Sequence, residues 1–164
     1  MKYYVKQKVF TLKDKFFIKD FDQNDVYEVQ GKFMSISNKL QLFRTDGTEV
    51  LNTKKKLFKI FPLYEIFSPE GDVVATIQKK FSIKPKFDVT MGNTELKVEG
   101  SLFAHSFGIL KEGRTIASIQ KKVFSFGDSY EIDIEDESQL ELLLFIVIII
   151  DQVIHESQKK SNNF

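Results

Sequence analysis

The chain reads as a mainly β protein, a closed antiparallel barrel of about twelve strands enclosing one hydrophobic C-terminal α-helix. Three observations predict this. Turn signals (Gly, Asn-Asp, Pro-Glu-Gly) recur every 8–14 residues, separated by runs rich in Val, Ile, Thr, Phe and Tyr; such spacing marks an all-β sandwich or barrel. Leu142 to Ile150 is then an unbroken run of nine apolar residues. A segment apolar on every side must be buried on every side, and nine residues fall short of the ~20 that cross a bilayer. Finally, a unit of Gly turn, strand and Lys pair is reused along the chain.

Strands are expected at roughly 3–10, 16–21, 26–33, 39–45, 48–56, 62–68, 72–80, 86–90, 94–101, 105–111, 114–122 and 129–134. Short connections between them predict antiparallel hairpins. The last element differs. Ser138-x-x-Glu141 matches a capping box ahead of an apolar run, and Glu135, Asp136 and Glu137 place negative charge at the positive end of a helix dipole. The β-branched stretch Ile146 to Ile150 favours strand, but length and the cap decide for a helix from about Ser138 to Gln158, its enclosed part about 138–156. Ser161 to Phe164 are expected to fray.

The 164 residues suit one domain, 1–164, with the barrel over about 3–134. Seventeen Phe and five Tyr without Trp fit pleated, half-buried surfaces. No Cys is present, which excludes disulfides, thiolate metal sites and Cys nucleophiles. Met1 to Lys6 lacks the apolar stretch of a signal peptide, so a cytoplasmic protein, peripheral to the membrane if it meets one, is expected. The net charge of +1 conceals a gradient. Residues 1–127 hold 22 basic against 14 acidic residues; residues 128–164 hold 2 against 9, concentrated from Asp128 to Glu141. Either the two neutralise each other within the fold, or the first part offers a basic face to an anionic partner.

The repeat aligns Glu70–Lys80 on Glu112–Lys122 without gaps, with seven of eleven positions identical. Asp46–Lys56 is a fainter copy. Because successive strand residues face opposite sides, Lys79 shares the inward parity of Ala75 and Ile77, Lys121 that of Ala117 and Ile119, and Lys55 that of Leu51. Lysines inside an apolar barrel would be costly, so these positions must lie at a mouth or beyond the last paired residue. The expected ligand-binding set is therefore Lys54, Lys55, Lys56, Lys79, Lys80, Lys121 and Lys122, with Lys84 and Lys86 flanking Pro85 nearby. Lys suits phosphate as a point charge, and anionic membrane surfaces attract such clusters. Lysines at strand ends also guard against edge-to-edge pairing. With Arg44 and Arg114 the only arginines, nucleic acid is not the expected partner.

No catalytic constellation is legible. His105 reads as a strand residue with a satisfied hydrogen bond, and His155 as a charge near the helix C-terminus. Neither has a metal-ligand spacing, and Walker, G-x-S-x-G and G-x-G-x-x-G motifs are missing. Asp20 to Asp25 starts like an EF-hand loop but has Asp25 where Gly is needed and Gly31 where Glu is needed; it reads as a polar turn. The acids of Asp128–Glu141 read as a solvated approach to the helix. Asp151 ends the apolar run, which places it at the rim of the core beside a Lys or a backbone donor. No cofactor, metal or transmembrane segment is expected.

Gly71 to Phe81, Gly113 to Phe124 and the apolar run ending in Asp151 together resemble the LURP-one-related (YxjI-type) proteins of the Tubby C-terminal-like superfamily. The resemblance spans nearly the whole chain and implies a closed twelve-stranded barrel threaded by its C-terminal helix. It also implies membrane-linked roles: tubby domains bind phosphoinositides, phospholipid scramblases are thought to share the fold, and plant members are linked to defence. No tubby lipid-binding motif matches here residue by residue. The expected function is a non-enzymatic binding module for an anionic lipid headgroup or membrane surface; a ligand-free structural or protein-interaction domain is the alternative, and an enzyme is the third.

Overall fold

The computed structural model describes residues 1–6, 15–32, 39–56, 60–125 and 127–162. Twelve strands are present: β1 (Lys2–Lys6), β2 (Lys15–Lys19), β3 (Asp25–Lys32), β4 (Lys39–Arg44), β5 (Glu49–Lys56), β6 (Leu63–Phe67), β7 (Val73–Lys80), β8 (Lys86–Met91), β9 (Thr94–Ser101), β10 (Ser106–Lys111), β11 (Arg114–Phe124) and β12 (Gly127–Ile134). Each pairs antiparallel with its sequence neighbours, and β1 pairs with β12, which closes the barrel. Expected residues 7–10 and 33 lie outside the described residues.

Helix α1 (Leu140–Asn162) fills the barrel. Every side chain from Leu143 to Ile154 is buried, packed with inward strand residues such as Ile18, Leu42, Ile66, Ile77, Ile109 and Ile132. The strands show the period-two burial this requires. The enclosure overrides the strand preference of Ile146–Ile150, because a helix satisfies all its backbone groups internally where no strand edge is free to pair. At 23 residues the helix is ~35 Å long and is long and apolar enough to cross a membrane. Length therefore does not exclude a bilayer span, as the nine-residue argument supposed; in this fold the helix is packed inside the sheet.

The start of the helix also departs from the expected capping box. Glu137–Gln139 form a 3₁₀ turn whose cap is Asp136, which accepts from the Ser138 backbone N–H. Glu141 turns away from Ser138 and accepts from Arg44 Nε and Nη2 (2.9 and 3.0 Å) and from the Tyr27 hydroxyl (3.1 Å).

The sequence repeat has a structural counterpart. In the β2–β3, β4–β5, β6–β7 and β10–β11 hairpins the register slips by one residue, passing over Val26, Val50, Val74 and Ile116. Each of these packs on the core. A β-bulge adds local twist and re-aims a side chain, so one device bends the sheet into closure four times. The Glu112-Gly113 turn has positive φ at both residues (50° and 77°), the type I′ geometry that matches strand twist. The Asp20–Asp25 segment is a hairpin turn, as expected, with Asn24 N–H donating to Asp20 Oδ1 (2.9 Å).

Candidate functional site

Alternating strand directions put every odd-to-even connection on one rim of the barrel. That rim carries the ends of β5, β7, β9 and β11, and the helix emerges through it. Gln158 Nε2 donates to the Phe103 carbonyl oxygen between β9 and β10 (2.9 Å), and Lys79 Nζ donates to Ser157 Oγ (2.6 Å). The opposite rim receives the start of the helix and the acids around it.

The inward-parity lysines meet at the first of these mouths. Lys55, Lys79, Lys159 and Lys160 all act electrostatically on Glu156, and Lys121 acts on His105. Burial pushes the Lys79 ammonium below its ordinary value, helped by Lys160 and Lys55, while Glu156 opposes the shift. Burial pushes the Glu156 carboxyl up, against the pull of the four lysines. Among the described residues, four lysines act on this one carboxylate.

The other members of the expected set point to the outer wall. Lys56 pairs with Glu65 (3.1 Å), Lys80 with Asp88 (2.8 Å) and Lys122 with Glu131 (2.7 Å). Lys54 lies opposite Lys39 and Glu65 on the neighbouring strands. Glu131 is a hub there: 4% exposed, it also binds Lys2 (3.0 Å) and accepts from the Tyr4 hydroxyl (3.3 Å) and Gln120 Nε2 (3.2 Å). Lys84 is exposed on the β7–β8 connection.

Apolar side chains share the basic mouth. Ile60, Phe61, Phe81, Ile83 and Phe103 stand on connections around this rim and Val123 near the end of β11; all are exposed, Phe81 by 87% and Ile83 by 100%. The Phe61 and Phe81 rings lie 5.9 Å apart. Sequence analysis placed the lysines there but had no signal for these side chains, since an apolar loop residue looks the same whether it is exposed or tucked under.

A second arrangement lies just inside this mouth, and sequence analysis missed it. His105 is not a strand residue. It follows the 3₁₀ turn Leu102–Ala104 in the left-handed conformation (φ 52°, ψ 42°), with its N–H donating to the Leu102 carbonyl (3.0 Å). That turn aims its ring at the helix, where Nδ1 lies 2.6 Å from Asp151 Oδ1 and Nε2 lies 2.9 Å from Gln158 Oε1. His155, one turn beyond Asp151, places Nε2 3.2 Å from Asp151 Oδ2, and its ring stacks on His105 with centroids 3.9 Å apart. Asp151 is thus fully buried (0% exposed), not at the rim, and its partners are the two histidines in place of the expected Lys or backbone donor. An acceptor faces each nitrogen of His105. Burial opposes charging this imidazole, but Asp151 and Gln158 outweigh it, and its pKa lies above the ordinary histidine value. The donor atoms of His105, Asp151 and His155 lie within 4.8 Å of one another. Chain spacing hides the trio, because residue 105 is 46 positions from residue 151.

Three comparisons bear on these features. A family model described as LURP-one-related matches residues 1–151. The uncharacterized protein YxjI of Bacillus subtilis (strain 168) is 33% identical over 159 residues, covering 96% of each chain. The X-ray structure of a protein from Arabidopsis thaliana superposes with a TM-score of 0.65 at 19% identity, covering 93% of this chain and 90% of that one; at that identity the likeness shows the fold alone.

Proposed function

The chain belongs to the LURP-one-related family, and we propose that it is a non-enzymatic module that docks on anionic membrane surfaces through the basic mouth of its barrel. The observation that carries this reading is the sharing of one rim by clustered lysines and exposed apolar side chains. Lys55, Lys79, Lys121 and Lys160 gather there around Glu156 and His105, while Phe81, Ile83 and their neighbours project from the connections of the same rim.

The two kinds of group do different work at a lipid surface. Anionic headgroups attract each nearby Lys by ~1 kcal/mol, while apolar and aromatic side chains enter the boundary between headgroups and acyl chains. A solubilising function alone would be served by lysines without the apolar tips. The protein would then sit peripherally on the cytoplasmic leaflet, with its helix still inside the barrel.

Vesicle co-sedimentation tests this. Binding to phosphatidylcholine vesicles carrying phosphatidylserine should exceed binding to phosphatidylcholine alone and should fall with salt. Replacing Lys55, Lys79 and Lys121 together by Ala removes ~3 kcal/mol at ~1 kcal/mol each, about a hundredfold in affinity. Equal binding to neutral vesicles, no binding to anionic ones, or indifference to the triple substitution would each overturn the proposal.

A further inference from the structure

From the geometry of His105, Asp151 and His155 we infer that this trio is a binding site for one divalent transition-metal ion of the zinc class, clipping helix α1 to the barrel. Two imidazoles and a carboxylate are ligands such ions accept. The three donor atoms lie within 4.8 Å of one another and come from two elements, the β9–β10 connection and the helix, so one ion would join them. The Tyr130 hydroxyl, 3.5 Å from His155 Nε2, stands beside the trio as a candidate fourth ligand.

The support around the trio is what distinguishes it from a chance salt bridge. Gln158 donates its amide N–H to the Phe103 carbonyl, which fixes the amide so that its oxygen faces His105 Nε2. His105 Nε2 must therefore carry a hydrogen. Holding one ring N–H in this way orients the other nitrogen as a ligand, the usual outer-shell arrangement around metal-bound histidines. That other nitrogen, Nδ1, faces a carboxylate oxygen at 2.6 Å. Two electron-pair donors so placed require a cation between them; at this distance it is a proton, which a metal ion would displace while opening the pair to ~3.3 Å. On the far side of the carboxylate, Asp151 Oδ2 is buried without a directed hydrogen bond. His155 Nε2 is near enough for a bond (3.2 Å), so the approach, not the distance, is at fault. A carboxylate with one oxygen underused in a fully buried position is a ligand in waiting.

Loading also requires a ring to move. A metal lies close to the plane of each ring that binds it, and the two rings are stacked 3.9 Å apart within 19° of parallel. One ring must leave the stack. His155 is the freer, with 15% of its side chain exposed against 9% for His105.

The test uses the full chain after chelator treatment. Calorimetric titration with Zn²⁺ should show one equivalent bound, and Co²⁺ should give the visible d–d bands of a four-coordinate site. A hundredfold excess of Zn²⁺ over Kd should raise Tm by ~5–10 °C, reversed by EDTA. His155→Ala and Asp151→Asn should abolish the stoichiometric binding, and Gln158→Ala should weaken it ~10–100-fold. Should Asp151→Asn fail to fold, the ring-nitrogen NMR signals of His105 and His155 in the unaltered protein decide: both must shift with Zn²⁺ at one equivalent. Absence of stoichiometric binding, binding unchanged by His155→Ala, or unshifted ring nitrogens would overturn the assignment.

Discussion

Truncating one phenylalanine inside the barrel and one on its rim gives a sharp test of the enclosed helix. Phe145 is fully buried on α1, and Phe81 is 87% exposed at the basic mouth. A buried Phe removes ~150–250 Å² from water, which at ~25 cal/mol/Å² stabilises by ~4–6 kcal/mol. Phe145→Ala keeps only Cβ of that and opens a cavity between helix and sheet, so a cost of ~3–5 kcal/mol is expected. On a domain of this size that lowers Tm by ~6–20 °C. The same arithmetic on the roughly one-eighth of Phe81 that is covered gives about 0.5 kcal/mol, within the usual range for surface substitutions. Urea unfolding followed by circular dichroism measures both, and an unchanged m-value would show that only stability has moved. Equal costs for the two variants would mean that Phe145 is not enclosed, and the barrel-around-helix description would fall.

Two further outcomes follow from named contacts. Burial alone would raise the Glu131 carboxyl, but Lys122 and Lys2 outweigh it and hold its pKa below the ordinary value of 4.5. A depressed folded-state pKa gives stability that is present above the unfolded value and lost as pH falls through the folded one, so the urea midpoint should drop below about pH 4.5, and Glu131→Gln should flatten that drop; an unaltered acid limb would contradict this. At Gly100 (φ 133°) an added Cβ would sit 2.6 Å from the Ser106 carbonyl oxygen and 2.7 Å from Phe107 Cα, whereas at Gly47 (φ 88°) it meets nothing within 4 Å. Both replacements by Ala carry backbone strain of ~1–3 kcal/mol, but Gly100→Ala adds a backbone clash, and thermal melts should show it to be clearly the more damaging.

Much of the architecture was legible because it rests on periodicities. Closely spaced turns and the β-favouring runs between them gave all twelve strands to within a few residues where the structure describes them, and the unbroken apolar run gave the buried helix. The repeat placed Lys55, Lys79 and Lys121 at a mouth by parity alone. Other features were invisible for physical reasons. The four bulges need partner strands to be defined, although their residues Val26, Val50 and Val74 recur at the repeat interval. Ser138 and Glu141 matched a capping box, but the tertiary pull of Arg44 on Glu141 won. His105 and Asp151 are brought together only by barrel closure and a left-handed turn at residue 105, neither of which leaves a spacing signature.

The charge gradient along the chain becomes a polarity along the barrel axis. Asp133, Glu135, Asp136, Glu137 and Glu141 gather where α1 begins, answered in part by the N-terminal ammonium (3.5 Å from Asp133) and by Arg44. The lysines gather where α1 ends, with Lys159 and Lys160 in its last turn. Both placements oppose the helix dipole and so stabilise the helix in this direction of threading. They also leave the protein nearly neutral in sum, with separated ends. A neutral but dipolar body gains little from long-range attraction and much from orientation: under the proposed function it would turn its basic, Phe-tipped mouth toward an anionic surface and its acidic mouth away. Holding the helix end and the proposed contact with lipid are therefore compatible roles for the lysines. Reversing the polarity by charge swaps at both mouths would oppose helix threading and membrane orientation together.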